Sequence, residues 1–412
     1  MDPRPDFDAA IERRGTNCYK WDRRPVNAAG DPLLPMWVAD MDFACAPAIQ
    51  RALDARITHP VYGYTFESPD DRRVFCEWQR DRNGWTVDER WLLQAPSVMP
   101  AVRAAILAFA EPGDEVIIQT PVYYPFFDAI RANGRSVLVN PLVEETPPGG
   151  GAHDEARRVR YRMDLEHLEK AITPRTRILL LCSPHNPVGR VWTLTELTEL
   201  ADICVRHDLV VISDEIHSDI RRSGTGFIPF TTVGPEIASR TIACHSVTKT
   251  FNLAGIASAQ IVVPDDGLRT RLQATFERLG LTLPNALSLA AARAAYGESA
   301  DWVDALMRYL DDQIDWFTAA IADRVPAIGV SLIEGTYLAW LDFRRLLSRA
   351  GATHREAERT LLEDVALRLS DGTQFGENGE GFFRLNLAAP RAVVADGFDR
   401  LVRAVRLLEG RA

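Results

Sequence analysis

Short apolar runs without a clean alternation of polar residues punctuate the middle of the chain. The clearest are 177–182, 209–213 and 241–244. Such runs are typical of strands that are buried on both faces, as in a parallel sheet. Between the first two, apolar residues recur at helical spacing after a capping box formed by Thr193 and Glu196, which predicts a helix. Strands that alternate with helices indicate an α/β fold with a mostly parallel central sheet flanked by helices.

The patterns also divide the chain into a large and a small domain, because 412 residues exceed one ordinary core. A helix is predicted near residues 99–110, and the chain becomes Ala-rich after about Pro284. New strand patterns then follow as IGVSLI, TYLAWLDF and FFRLNLA, before a final helix over 398–408. We expect an N-terminal segment over 1–45 that packs with the small domain, a large domain over 46–285, and a smaller α+β domain over 286–412.

Composition and charge exclude some classes of protein and leave the predicted fold unchanged. Hydrophobic residues make up 46% and charged residues 25%, which is ordinary for a globular protein. A net charge of -10 disfavours nucleic acid as a partner. The start of the chain lacks an export signal and no segment reaches spanning length, so we expect a cytoplasmic enzyme away from membranes. The six scattered cysteines form no C-x-x-C pair, so we expect neither a metal site nor a disulfide framework.

Lys249 is the first residue that suggests chemistry. It follows the strand pattern TIAC in SVTKTFN, beside the hydroxyl residues Ser246 and Thr248. Hydroxyls and loop amides suit a phosphate, and a desolvated amine forms an imine with an aldehyde. A lysine in a loop is more often a solvated surface residue, however, so this signal is weak by itself.

Two other predicted strands end in polar groups. Asp214 closes the very apolar run LVVISD, where a carboxylate is costly unless it is paired. Asn186 lies in the turn SPHNPVG that follows RILLLC. A helix cap or structural ion pair would equally explain the aspartate, and the turn needs no function. Because ligands of such sheets bind beyond the carboxyl ends of the strands, we expect both groups to lie near Lys249.

The order strand-NP-x-G, strand-D-E-x-x and strand-S-x-x-K resembles fold-type I pyridoxal-phosphate enzymes of the class I and II aminotransferase superfamily, which have the aspartate aminotransferase-like fold. The resemblance implies that Lys249 holds the cofactor as an imine, Asp214 faces the ring nitrogen and Asn186 donates to the ring oxygen. A carboxylate there keeps the ring protonated, so that the ring absorbs electrons when the substrate loses its α proton. Lys249 would take that proton.

The resemblance assigns further residues to the cofactor. In TPVYYPF, Tyr123 would cover the ring and Tyr124 would reach the substrate, although a packed aromatic pair is the bland alternative. The amides of Val98 and Met99, at the start of a helix, would meet the phosphate together with Ser246 and Thr248. His217 stands where aminotransferases commonly carry a tyrosine.

Three assignments concern the substrate and the partner subunit. Arg384 in FFRLNLA matches the arginine that binds the substrate carboxylate, with a surface ion pair as the alternative. Ala39 in LPMWVADMDF is also expected to contact substrate. Tyr64 of VYGYT would reach the phosphate in the neighbouring subunit, which implies a homodimer.

Segments such as TNCYKWD, LPMWVADMDF, SPHNPVGRVW, DEIHSDI and EGTYLAWLDF resemble the cystathionine β-lyase or C-S lyase branch of the MalY and PatB type. The branch implies α,β-elimination of cystathionine or another cysteine S-conjugate to a thiol, pyruvate and ammonia. An aminotransferase remains the rival enzyme, and decarboxylation or oxidative deamination are more distant outcomes. A regulator acting through protein contacts is the rival from another class.

Several positions depart from the branch. Ala257 replaces a phosphate-binding arginine, as in the lyases, whereas Ser97, Val247 and Ala388 stand where the branch predicts Gly, Pro and Cys. The chain reads GTGFIPF where a histidine-containing segment is expected, and residues 144–160 form a Pro- and Gly-rich excursion. These differences leave room for a bulky or pathway-specific cysteine conjugate.

Overall fold

The computed structural model describes residues 5–145 and 158–410. A seven-stranded sheet forms the centre of the larger part. Six of its strands run in one direction and the strand Ala259–Val262 runs antiparallel to both neighbours, so the predicted mostly parallel sheet is confirmed. In spatial order the strands are Leu92–Ala95, Ala259–Val262, Thr241–His245, Val210–Asp214, Thr176–Cys182, Glu115–Ile118 and Ser136–Val139.

Helices cover both faces of this sheet. The helix Leu194–Arg206 begins with the predicted capping box: Glu196 N donates to Thr193 Oγ1, and Thr193 N donates to the Glu196 carboxylate at 2.8 Å. The helices before residue 330 are Tyr19–Asp22, Pro47–Thr58, Pro69–Asn83, Val98–Phe109, Pro125–Arg131, Leu165–Ala171, Leu194–Arg206, Pro235–Ala238, Val247–Thr250, Asp266–Leu279, Ala286–Glu298 and Ala300–Arg324, with 3-10 turns at Glu89–Trp91 and Phe230–Thr232.

A second sheet of six strands, mostly antiparallel, lies towards the C-terminus. Its order is Ser370–Asp371, Phe382–Asn386, Leu338–Asp342, Gly329–Ser331, Arg158–Arg162 and Val143–Glu145. Around it lie the helices Arg344–Ala350, His354–Arg359 and Arg391–Glu409, a π-helical turn Thr360–Asp364, and 3-10 turns Gly372–Phe375 and Glu377–Gly379. The final helix therefore begins at Arg391, directly after Pro390, and is longer than the sequence pattern predicts.

The second sheet takes strands from distant parts of the chain. The predicted excursion has strands at both ends, Val143–Glu145 and Arg158–Arg162, which pair with each other. Arg158–Arg162 also pairs with the strand Gly329–Ser331 and so connects the excursion to the C-terminal strands. The centre of the excursion, residues 146–157, lies outside the described residues. Near the N-terminus, Leu34–Pro35 pairs with Leu367–Arg368. This pairing joins the two ends of the chain, and the predicted division into an N-terminal segment, a large domain and a small domain stays a prediction.

Burial follows from this layering. One apolar cluster joins the helix Val98–Phe109 to one face of the central sheet, and a second cluster joins the helix Leu194–Arg206 to the other face. The strand Val210–Asp214 is consequently apolar on both sides, and it carries its last residue into the interior. No helix within the described ranges has both the length and the apolar character needed to cross a membrane.

Candidate active site

The carboxyl ends of the parallel strands open into a cavity of about 420 Å³. Most of the residues that the sequence singled out meet here, although they are spread over almost 350 positions of the chain. The cavity is lined by Tyr19, Trp37, Val38, Ala39, Ser97, Val98, Met99, Tyr123, Tyr124, Cys182, Asn186, Asp214, Ile216, His217, Thr248, Lys249, Ala254, Ala257 and Arg384.

Lys249 lies inside this cavity rather than in solvent. It belongs to a single helical turn, Val247–Thr250, whereas the sequence predicts a loop. Its Nζ donates to the carbonyl oxygen of Ala39 at 2.6 Å. Burial lowers the pKa of Lys249 to about 8, because the cavity wall disfavours the charged ammonium. A larger share of the amine is therefore neutral and nucleophilic near neutral pH.

Asp214 ends its strand inside the same cavity. Its Oδ1 accepts from the Ile216 amide at 3.2 Å, and its side chain forms no ion pair with a cation among the described residues. Burial raises the pKa of Asp214 to about 6, although Lys249 and His245 act in the opposite direction. A buried carboxylate in this state suits a ligand that brings its own protonated nitrogen.

Asn186 and Arg384 form a direct pair. Arg384 Nη1 donates to Asn186 Oδ1 at 2.9 Å, and Nη2 donates to the carbonyl oxygen of Trp37 at 2.8 Å. The bond orients the amide, so that the Asn186 nitrogen is left to donate elsewhere. Arg384 Nε is buried and has no hydrogen-bond partner in the described part of the chain. Burial lowers the pKa of Arg384 to about 10, which leaves it a cation at neutral pH and ready for a carboxylate.

Aromatic residues and His217 complete the middle of the cavity. The rings of Tyr123 and Tyr124 lie 5.5 Å apart, and burial raises the pKa of Tyr123 to about 12. His217 is buried, and burial together with the nearby Lys249 and Arg384 charges lowers its pKa well below the usual value. Its imidazole is therefore neutral, and Nδ1 has no partner among the described side chains.

The remaining predicted phosphate ligands divide into two groups. The helix Val98–Phe109 begins at the cavity, and the Ser97 side chain makes no capping bond to it, so the first amides point to an open end. Thr248 lines the cavity as well. Ser246 is not on the wall: its hydroxyl donates to the Ser258 carbonyl at 2.5 Å and accepts from the Thr248 amide. Tyr64 lies outside the cavity and is 97% exposed.

These groups fit pyridoxal phosphate. The amine of Lys249, with its lowered pKa, suits the aldehyde. The carboxylate of Asp214, which has no cation beside it, suits the ring nitrogen, and the amide of Asn186, oriented by Arg384, suits the ring oxygen. An uncapped helix start suits its phosphate. Within the described part of the chain, Lys249 and Arg384 are the only lysine and arginine on the cavity wall, so a phosphate bound here would depend on amides and hydroxyls.

The sequence did not single out several residues of the wall. Tyr19 and Trp37 come from the N-terminal segment, where no periodic pattern marks them, and Cys182 and Ile216 flank the predicted strand ends. Trp37 occurs within LPMWVADMDF, the segment that carried Ala39. Its position two residues before that alanine was the available signal, and for Tyr19 the signal was its place in the quoted segment TNCYKWD.

Comparison with known proteins places this arrangement in a family. The model of the aminotransferase class I and II family matches residues 46–401. The chain belongs to that family. It is 36% identical to cystathionine beta-lyase PatB of Bacillus subtilis, over 97% of this chain and 100% of that protein. It is 34% identical to protein MalY of Escherichia coli, over 97% of this chain and 99% of that protein.

A solved structure gives the same result for the fold. Cystalysin from Treponema denticola, which contains a pyridoxal 5'-phosphate cofactor, superimposes with a TM-score of 0.89 at 33% identity. The match covers 98% of this chain and 99% of that one. The predicted family, its lyase branch and the fold-type I architecture are therefore confirmed.

Proposed function

We propose that this chain is a pyridoxal-phosphate-dependent carbon-sulfur lyase that acts on an L-cysteine S-conjugate. With one water, the conjugate gives a free thiol, pyruvate and ammonia. The observation that carries the proposal is the convergence of a buried amine, a buried carboxylate and an arginine-oriented amide on one cavity. Full-length relatives with the name cystathionine beta-lyase support the reaction class.

Pyridoxal phosphate, when bound, supplies an electron-withdrawing ring that stabilises the carbanion left after loss of the α proton. Asp214 would hold the ring nitrogen protonated, and Asn186 would donate to the ring oxygen. The amides of Val98 and Met99 and the hydroxyl of Thr248 would bind the phosphate. Ser246 contributes by fixing Thr248, because its own hydroxyl is already engaged.

The other side chains act on the substrate. Arg384 orients the α-carboxylate, since its Nε faces no other partner. Lys249, in its neutral form, accepts the α proton. The electron pair of the breaking Cβ–S bond leaves with sulfur as a thiolate. Tyr123 would cover the ring face, and Tyr124 would reach toward the substrate.

The test is to supply the purified protein with cystathionine and other cysteine S-conjugates and to measure pyruvate and free thiol together. Equal amounts of both products are expected without any added keto acid. Lys249→Ala is expected to abolish both, whereas Lys170→Ala, an exposed lysine on a helix, leaves them unchanged. Product formation that requires an added keto acid would instead identify an aminotransferase.

We also propose a homodimer in which Tyr64 reaches the phosphate of the neighbouring subunit. Tyr64 lies in an exposed apolar patch formed by two neighbouring segments, 61–66 and 283–287. Its large exposed members are Val61, Tyr62, Tyr64, Phe66 and Leu283. Contiguous exposed apolar side chains of this size mark protein interaction surfaces.

The cytoplasmic location that the sequence suggests stays a prediction, supported by six cysteines that are all free.

A further inference from the structure

Few residues of the active-site cavity carry charge. Among the described residues, the charged members of its wall are Asp214, Lys249 and Arg384, and each has a proposed role towards the cofactor or the α-carboxylate. His217 is neutral because its pKa is lowered by burial. The wall residues that have no such role are uncharged, and most are aromatic or aliphatic: Tyr19, Trp37, Val38, Ile216, Ala254 and Ala257.

Tyr19 and Trp37 form an aromatic wall at the mouth of the cavity. Their ring centroids are 5.3 Å apart, and Tyr19 is 53% exposed although it lines the cavity. The guanidinium of Arg23 lies 4.7 Å from the Tyr19 ring, and that of Arg368 lies 3.9 Å from the Trp37 ring. Neither arginine lines this cavity. The two cations therefore hold the rings in place by cation-π contact.

We propose that this site selects cysteine conjugates whose leaving thiol half is uncharged and aromatic or alkyl, bound against the Tyr19–Trp37 wall. The proposal rests on the lyase function above and narrows its substrate. Cystathionine is disfavoured, because its leaving half carries an ammonium and a carboxylate that would lose water without gaining a partner in this cavity. An aryl or alkyl group gains apolar contact with the two rings instead.

Wild-type holoenzyme gives the first test. We expect S-benzyl-L-cysteine to exceed cystathionine in kcat/KM by at least about 10-fold, the discrimination available to an apolar pocket. The same ratio is expected in the dissociation constants of their carbon analogues, in which a methylene replaces sulfur, measured from the change in cofactor absorption. The analogues contain no carbon-sulfur bond, so this readout stands even if the lyase reaction fails. Equal or tighter binding of the cystathionine analogue would overturn the proposal.

Variants then locate the selectivity. Tyr19→Ala is expected to weaken the benzyl analogue about 10-fold and to leave the cystathionine analogue within about 2-fold, whereas Tyr19→Phe keeps the wild-type ratio. Trp316→Ala is the matched control, because Trp316 is also covered by an arginine, Arg391 at 4.8 Å, but lies outside the cavity. It should change neither constant.

Arg23 and Arg368 would favour cystathionine instead if they bound the carboxylate of its leaving half. Arg23→Gln and Arg368→Gln separate these possibilities, because both remove the charge and keep much of the side chain. We expect either variant to weaken the benzyl analogue more than the cystathionine analogue, since the rings lose their support. A selective loss of the cystathionine analogue would show that the arginines recognise substrate charge, and the proposal would fail.

Discussion

Asp214 is the side chain whose ionisation depends most directly on what the cavity contains. Its ordinary pKa is 3.8, and burial raises it to about 6. Without a cationic ligand, the folded protein thus binds a proton that the unfolded chain has already released. The free energy of unfolding therefore falls as pH rises from below 3.8 to above 6. The total loss is about 3 kcal/mol, since one pKa unit corresponds to about 1.4 kcal/mol.

We therefore predict that Asp214→Asn flattens the pH dependence of stability in the cofactor-free protein. Between about pH 4 and 7, the wild type should lose about 2 kcal/mol relative to the variant. Urea unfolding at both pH values measures the difference. Asp54→Asn, which replaces an exposed carboxylate on the helix Pro47–Thr58, is the control. A variant that follows the wild-type profile would show that Asp214 is not destabilised by burial.

Arg384 gives a second prediction at a single position. Its guanidinium donates to Asn186 and Trp37 at the same time, a geometry that a lysine cannot reproduce. Arg384→Lys should raise KM about 100-fold with a smaller effect on kcat, because about 3 kcal/mol of carboxylate binding is lost. Steady-state kinetics of pyruvate release measures both constants. Arg400→Lys, outside the cavity, should leave them unchanged, and an unaltered KM in Arg384→Lys would remove its assigned role.

Among the structural elements, the N-terminal segment contains a cluster of buried charges. Asp42 receives Lys20 Nζ at 2.8 Å, Arg13 Nη1 at 2.6 Å and Trp21 Nε1 at 3.0 Å. Burial alone would raise the pKa of Asp42, but the Lys20 charge and these bonds hold it below its usual value. The same cluster fixes the backbone that presents Ala39 to Lys249.

Removing Lys20 should release this segment. Lys20→Met leaves a buried carboxylate short of one partner, so we predict a loss of about 3 kcal/mol in unfolding free energy. KM should rise as well, because Trp37 and Ala39 lose their support. Lys170→Met, which breaks an exposed lysine-carboxylate pair with Glu166, should have almost no effect. Equal effects of the two substitutions on stability and KM would contradict the assigned role of the cluster.

Predictability from sequence also differs between elements. The strands 176–182, 210–214 and 241–245 could be predicted because burial on both faces leaves a continuous apolar run, and their ends locate Asn186, Asp214 and Lys249. The pairing of the excursion strands with the C-terminal sheet could not, since it joins segments that are about 170 residues apart. Tyr19 and Trp37 were missed for the same reason: their place depends on long-range contacts rather than on local pattern.

For the whole molecule, the exposed patch around Tyr64 is the feature that a lone subunit does not explain. Tyr64 is 97% exposed and lines a surface pocket together with Leu283, and Phe66, two residues later in the chain, is 77% exposed. Among the described residues, Lys249 and Arg384 are the only lysine and arginine on the cavity wall, and Ala257 stands where aminotransferases commonly carry a phosphate-binding arginine. A symmetric dimer would cover this patch, because a twofold axis brings the same patch of both subunits together, and in the proposed dimer Tyr64 would add a hydroxyl to the partner's cavity.

Subunit mixing tests this assembly. We predict that Lys249→Ala and Tyr64→Ala proteins, each weakly active or inactive at limiting cofactor, regain activity when they are unfolded and refolded together. A mixed dimer then contains one site with both native residues, so about a quarter of wild-type activity should return after random pairing. Refolding Lys249→Ala with Asp214→Asn should restore none, because Asp214 and Lys249 line the same cavity of one subunit. Failure of the first mixture to exceed the second would place Tyr64 outside the partner's active site.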